Sequence, residues 1–157
     1  METPIESFFN AIREGDESAV RNHIEQYPNL VNEKDLRGST PLIIATYYDW
    51  ESISALLLKK GALIDAQDST GNTALMGVCF KGYFKIAELL VGAGANVNAV
   101  NTQGSTPLLF AVMFNHEKIA KLLLANGANK TLKDTRGYTA LDYAKMNGFK
   151  NLEMLLS

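Results

Sequence analysis

Cysteine is all but missing from this chain of 157 residues: Cys79 stands alone, and histidine occurs only as His23 and His116. A lone thiol closes no intramolecular disulfide, and one cysteine with two histidines does not build a structural zinc site. A reducing compartment, no metal and no cofactor are the expectations. Positive charge is not in excess either, with 15 Lys plus Arg against 17 Asp plus Glu, a net charge of −2. Nucleic acids and anionic membranes select clustered Lys and Arg, so neither is an expected partner. No apolar run approaches the roughly 18 residues of a membrane helix. At the N-terminus, Glu2 and Glu6 stand where a secretory signal would have a basic flank and an apolar stretch. Cytoplasmic residence follows as the expectation.

What the chain does have is a repeat. Gly38-Ser39-Thr40-Pro41-Leu42 returns at Gly71, Gly104 and Gly137, each time 33 residues on. A second landmark keeps the same interval: Gly61-Ala62, Gly94-Ala95 and Gly127-Ala128 each follow a Leu-rich run. Within a unit, Thr40 is an N-cap and Pro41 occupies the helical position where a missing N–H costs nothing. A short helix over about 41–48 follows. After a turn at Asp49-Trp50, a second helix over about 51–60 carries Ile53, Leu56 and Leu57 at the spacing of a buried stripe. Gly61 ends it. The polar stretch from Leu63 to Thr70 reads as a hairpin-like excursion.

A 33-residue period with G-x-T-P-L opening the first helix and L-L-L-x-x-G-A closing the second resembles the ankyrin repeat. That resemblance implies an all-α solenoid of stacked helix-turn-helix units with projecting hairpin loops. The domain is single, 1–157, with an N-terminal capping repeat 1–35, internal repeats 36–68, 69–101 and 102–134, and a C-terminal capping repeat 135–157. In the first unit Phe8, Ala11 and Gly15 take the places of Leu42, Ala45 and Asp49, offset by 34, with the extra residue placed near Tyr27-Pro28-Asn29. Columns such as Ser54, Ala87, Ala120, Glu153 turn polar in the last unit and Asn10 opens its column polar, so both ends read as caps of a complete array. A small bacterial-type branch of the family, some members encoded beside catalases, is a narrower likeness.

Catalysis finds little support. A nucleophile needs a base in reach and a group to orient it, whereas Cys79 shares a helical column with Thr46 and Val112 and reads as a packed thiol. His116 opens a second helix in the column Trp50, Tyr83, His116, Phe149, where stacking and turn capping suffice. The rings of Trp50, Tyr83 and Phe149 are expected to stack on one another. His23 falls where later units have Leu57, Leu90 and Leu123, as a satisfied histidine of the cap. Gly77 costs a helix ~1 kcal/mol, and the ring of Phe110 is expected to fill the space beside it. The family's common His after T-P-L is replaced by Ile43, Met76, Leu109 and Asp142, with apolar packing the expected substitute.

A non-enzymatic, monomeric protein-binding module is therefore expected. The resemblance places its surface in the groove of first helices and loop tips, here Tyr47, Tyr48, Phe80, Lys81, Met113, Phe114 and Met146 with Leu36, Arg37, Arg136 and Tyr138. Aromatic and Met side chains there suit an interface. The alternative is an accessory or chaperone-like subunit of a specific enzyme, in oxidative-stress protection. Charge is uneven: residues 1–35 carry eight acids and three bases, the remainder nine and twelve. The lysines of the second helices, Lys59, Lys60, Lys85, Lys118, Lys121 and Lys150, read as a solvated back.

Overall fold

A computed structural model describes residues 1–157 as ten α-helices and no strand. They come in pairs: α1 (Pro4–Glu14) with α2 (Glu17–Gln26), α3 (Pro41–Tyr47) with α4 (Glu51–Lys59), α5 (Ala74–Lys81) with α6 (Phe84–Gly92), α7 (Pro107–Met113) with α8 (Glu117–Ala125), and α9 (Ala140–Asn147) with α10 (Lys150–Leu156). First helices pack on first helices along the array, and second on second, giving two rows of α-helix. The 34-residue offset of the opening unit is taken up by a 3-10 turn, Pro28–Asn32.

Each first helix of the later units starts on the same device. Thr40, Thr73, Thr106 and Thr139 accept at Oγ1 from the amides of Ile43, Met76, Leu109 and Asp142, at 3.1, 3.3, 3.2 and 3.2 Å. An orphan N–H is satisfied in every case. Met76 and Leu109 are buried where the family commonly has His, whereas Asp142 is not an apolar substitute: its carboxylate accepts from the Thr139 amide and closes a capping box. The core runs through the array as columns. Ala45, Val78, Ala111 and Ala144 let first helices approach closely, and Leu57, Leu90 and Leu123 fill the space between rows, all fully buried. Truncating one such leucine costs about 2–5 kcal/mol.

The loops before each first helix of the later units are built by a carboxylate or amide three residues ahead of Gly38, Gly71, Gly104 and Gly137. Asp35, Asp68, Asn101 and Asp134 each accept at Oδ1 from the amides two and four residues on, at 2.9–3.1 Å. Short polar side chains favour this turn because they replace a backbone acceptor. Neighbouring tips bond through Thr102 N–H to the Thr70 carbonyl (3.1 Å) and Thr135 N–H to the Gln103 carbonyl (3.0 Å). Gly71 explains its own recurrence: a Cβ there would meet the Asn101–Thr102 backbone at 3.0 Å.

Two packing expectations are corrected. Trp50, Tyr83 and Phe149 do not stack ring on ring. Trp50 lies over the turn of the preceding unit, 2.9 Å from where a Gly15 Cβ would sit, and His116 does the same over Gly82 at 2.5–2.9 Å. Each of these two rings covers a left-handed turn of the unit before it. Gly77 is faced by Tyr47 and not by Phe110, with Tyr47 Cδ1 at 3.7 Å from an added Cβ. The long side chain at the end of one first helix reaches forward over the small residue of the next.

Candidate functional site

Four rings stand on the ends of successive first helices. Tyr47 closes α3 and Tyr48 caps it, Phe80 lies in the last turn of α5, and Phe114 caps α7. Their exposures are 42, 47, 38 and 46%. Phe80 and Phe114 meet edge to face with centroids 4.6 Å apart, and Tyr47 and Tyr48 do so at 6.1 Å. Lys81 Nζ sits 5.0 Å from the Tyr47 centroid and 5.7 Å from that of Tyr83. Such a cation over a ring face adds about 0.5–1 kcal/mol at an exposed site. The rings are thus ordered by one another and by Lys81 while each stays exposed to solvent.

The remaining expected positions separate. Met146, at the end of α9, is exposed and extends the row. Met113 is half-buried and packs against the core, so it supplies a wall to the row, not a free anchor. Leu36, Arg37 and Arg136 project from the loop tips. Tyr138 lies edge-on to Tyr143 at 5.5 Å. Tyr143 in turn donates to Asp134. Burial works to raise the Asp134 pKa, but the Tyr143 hydroxyl and the Tyr138 and Arg136 amides outweigh it and hold the carboxyl below its ordinary range. Burial and the same bond push Tyr143 up to about 12.

Concave space lies toward the N-terminal end. A hollow of about 770 Å³ is walled by Arg37, Ser69 and Thr70 on one side and Ile43, Tyr47 and Tyr48 on the other. A second, of about 1010 Å³, continues over the first unit past Ile5, Phe9, Arg13 and Leu36. Arg13 was missed by sequence reasoning, although the signal was present. With the 34-residue offset it shares the column of Tyr47, Phe80, Met113 and Met146. It pairs with Asp35 at 3.3 Å and lies 5.7 Å from the Phe9 centroid.

The chemistry-bearing side chains outside this surface are occupied. Cys79 is fully buried, and desolvation pushes its thiol well above its ordinary value, which suppresses the nucleophilic thiolate. His116 Nε2 donates to the Phe80 carbonyl at 3.1 Å, tying α8 to the end of α5. His23 donates from Nδ1 to the Ala19 carbonyl at 2.6 Å and has Nε2 3.1 Å from Ser7 Oγ. No group of three His, Cys, Asp or Glu residues converges as a metal site would require. No helix is long and apolar enough to cross a membrane.

Stacked helix pairs on a 33-residue period, with a projecting turn before each pair and an open row of rings along the first helices, define a solenoid binding scaffold. The chain belongs to the ankyrin-repeat family: the model described as ankyrin repeats, three copies, matches residues 8–101 and again 82–157. Repeats of this family are protein–protein interaction modules and are typically non-catalytic. No curated protein sequence matches the chain.

Proposed function

We propose that this chain is a non-catalytic module that holds a protein partner against the ends of its first helices, with Tyr47, Tyr48, Phe80, Lys81, Phe114 and Met146 as the contact row and Leu36, Arg37, Arg136 and Tyr138 at its rim. The observation that carries the reading is the open row of four rings. Their exposed faces gain nothing from water, and aromatic side chains dominate binding hot spots. Stacked helix pairs present this row in a fixed shape, so little ordering opposes association. The single, buried Cys79 supports work in a reducing cytoplasm, and the reading has the module acting as a monomer.

The test is the pair Phe80→Ser and Phe114→Ser. Partner capture should be abolished while the helical circular-dichroism signal is kept, the stability cost being the edge-to-face contact, about 0.5–1.5 kcal/mol, plus the apolar area that each partly buried ring removes from water. Capture that survives the double substitution in a folded protein overturns the assignment of the site.

A further inference from the structure

We infer that Asn126 is a site of spontaneous covalent modification: its side chain closes on the Gly127 amide, loses ammonia and converts to isoaspartate, and the conversion loosens the fourth repeat from the third. The inference stands apart from the binding role proposed above.

Asparagine is followed by glycine twice in the chain, at Asn126-Gly127 and Asn147-Gly148. The backbone nitrogen after an asparagine can attack its side-chain carbonyl carbon, and a glycine has no Cβ to stand in the way. Asn126 meets the other requirements. It is exposed, it lies just beyond the last helical residue of α8, and its φ of −109° and ψ of 22° have left helical values. No atom lies within 4 Å of where a Gly127 Cβ would stand, so a five-membered ring has room. The Gly127 N–H is held by the Leu124 carbonyl at a long 3.3 Å. Attack needs that bond to open and the Asn126 Cα–C bond to rotate, which fraying of a helix end permits. Asn147 is the last residue within α9, so its peptide group must first leave the helix. One further backbone hydrogen bond to break slows such an opening about two- to tenfold.

In the first step the Gly127 nitrogen bonds to Asn126 Cγ, the Cγ–Nδ2 bond breaks, and the amide proton of Gly127 leaves with Nδ2 as ammonia. Water then adds to the cyclic imide. Cleavage at Cγ yields aspartate; cleavage at the backbone carbonyl carbon yields isoaspartate, whose main chain runs through the former side chain and is one carbon longer.

That extra carbon falls at a joint between repeats. The Gly127 carbonyl accepts from Asn98 Nδ2 at 3.0 Å, and Asn98 Oδ1 accepts from the Asn129 amide at 2.8 Å. Lengthening the chain at residue 126 shifts the Gly127 carbonyl away from Asn98. The lost Nδ2 is also the donor to the Leu122 carbonyl at 2.8 Å, and the new carboxylate stands at the negative end of the α8 dipole. All three changes act against stability.

The experiment is incubation of the intact chain in neutral and mildly alkaline buffer, with peptide mapping by electron-transfer mass spectrometry, which separates isoaspartate from aspartate. Asn126 should convert about two- to tenfold faster than Asn147. Isoaspartate should be among the products, and the rate should rise with pH because the attacking nitrogen must lose its proton. Asn126→Gln, whose closure needs a larger ring, should stop conversion at that position. The urea midpoint of the converted chain should fall at unchanged m-value, and by less in an Asn98→Ala background, where the joint is already broken. An intact Asn126, conversion no faster than at Asn147, or aspartate as the sole product overturns the modification site. Full conversion with an unchanged midpoint, or an equal fall in the Asn98→Ala background, overturns the loosening of the repeats.

Discussion

One side-chain column between neighbouring repeats contains its own control experiment. Asn32 donates from Nδ2 to the Gly61 carbonyl at 3.1 Å and accepts at Oδ1 from the Leu63 amide at 2.9 Å. Asn98, two repeats later, does the same to the Gly127 carbonyl (3.0 Å) and the Asn129 amide (2.8 Å). Between them the column has Asp65, which accepts from the Asn96 amide at 2.8 Å and has nothing to donate. The Gly94 carbonyl accordingly lacks the partner that its counterparts have. Asp65→Asn should supply it. A neutral hydrogen bond contributes about 0.5–1.5 kcal/mol, and relief of carboxylate against carbonyl adds to it, while loss of charge assistance at the Asn96 amide subtracts a comparable amount. At an exposed site the net is a stabilisation of about 0.5–1 kcal/mol, or about 1–4 °C in Tm for a chain of this length. The reverse change, Asn98→Asp, removes one bond and sets a carboxylate beside the Gly127 carbonyl, for a loss of about 1 kcal/mol. Urea midpoints at unchanged m-value measure both. Opposite signs at the two positions are the expected outcome. Equal signs, or destabilisation by Asp65→Asn, would falsify the ladder as a source of coupling between repeats.

Further expectations follow from the packing. Gly77→Ala should stabilise by about 1 kcal/mol in thermal melts, because helix propensity improves and the new methyl meets Tyr47 Cδ1 at an ordinary 3.7 Å; a lower Tm would mean that the Tyr47 ring cannot accommodate it. Gly82→Ala should cost about 2 kcal/mol or more, since φ is +82° and the new Cβ would lie 2.5 Å from His116 Cε1. Adding His116→Ala should recover part of that loss, and strict additivity would refute the contact. Cys79 should resist a thiol reagent in the native state and react only at the rate of unfolding, whereas rapid labelling would contradict its burial. Tyr143 titrates at about 12 against an ordinary 10.0, so its neutral form is favoured by folding. Its contribution is full below pH 10 and lost as pH rises toward 12. Melts across that window should fall less steeply for Tyr143→Phe than for the native chain.

The period, the helix pairs and the caps were legible in the sequence because each rests on local chemistry repeated in register: Thr-Pro at a helix start, Gly after a helix, a Leu stripe between. The row of rings was legible for the same reason, as columns at the ends of first helices. What escaped were contacts decided by side-chain reach between units. Phe110 and Gly77 share a column, yet Tyr47 fills the space, since a long side chain leans across to the next helix and not straight along the stack. Trp50 and His116 likewise cover the preceding turn, a direction that spacing alone does not encode. Arg13 was hidden by the 34-residue first unit, which shifts it out of the 33-residue register.

The most direct test of the docking surface is a ¹H–¹⁵N chemical-shift map of the labelled chain titrated with a peptide selected on the intact chain from a displayed random library. The account predicts the largest shifts at Arg37, Tyr47, Tyr48, Phe80, Lys81 and Phe114, with the second helices little changed. Shifts concentrated instead on Lys59, Lys85, Lys118 and Lys121, on the opposite row of helices, would contradict it.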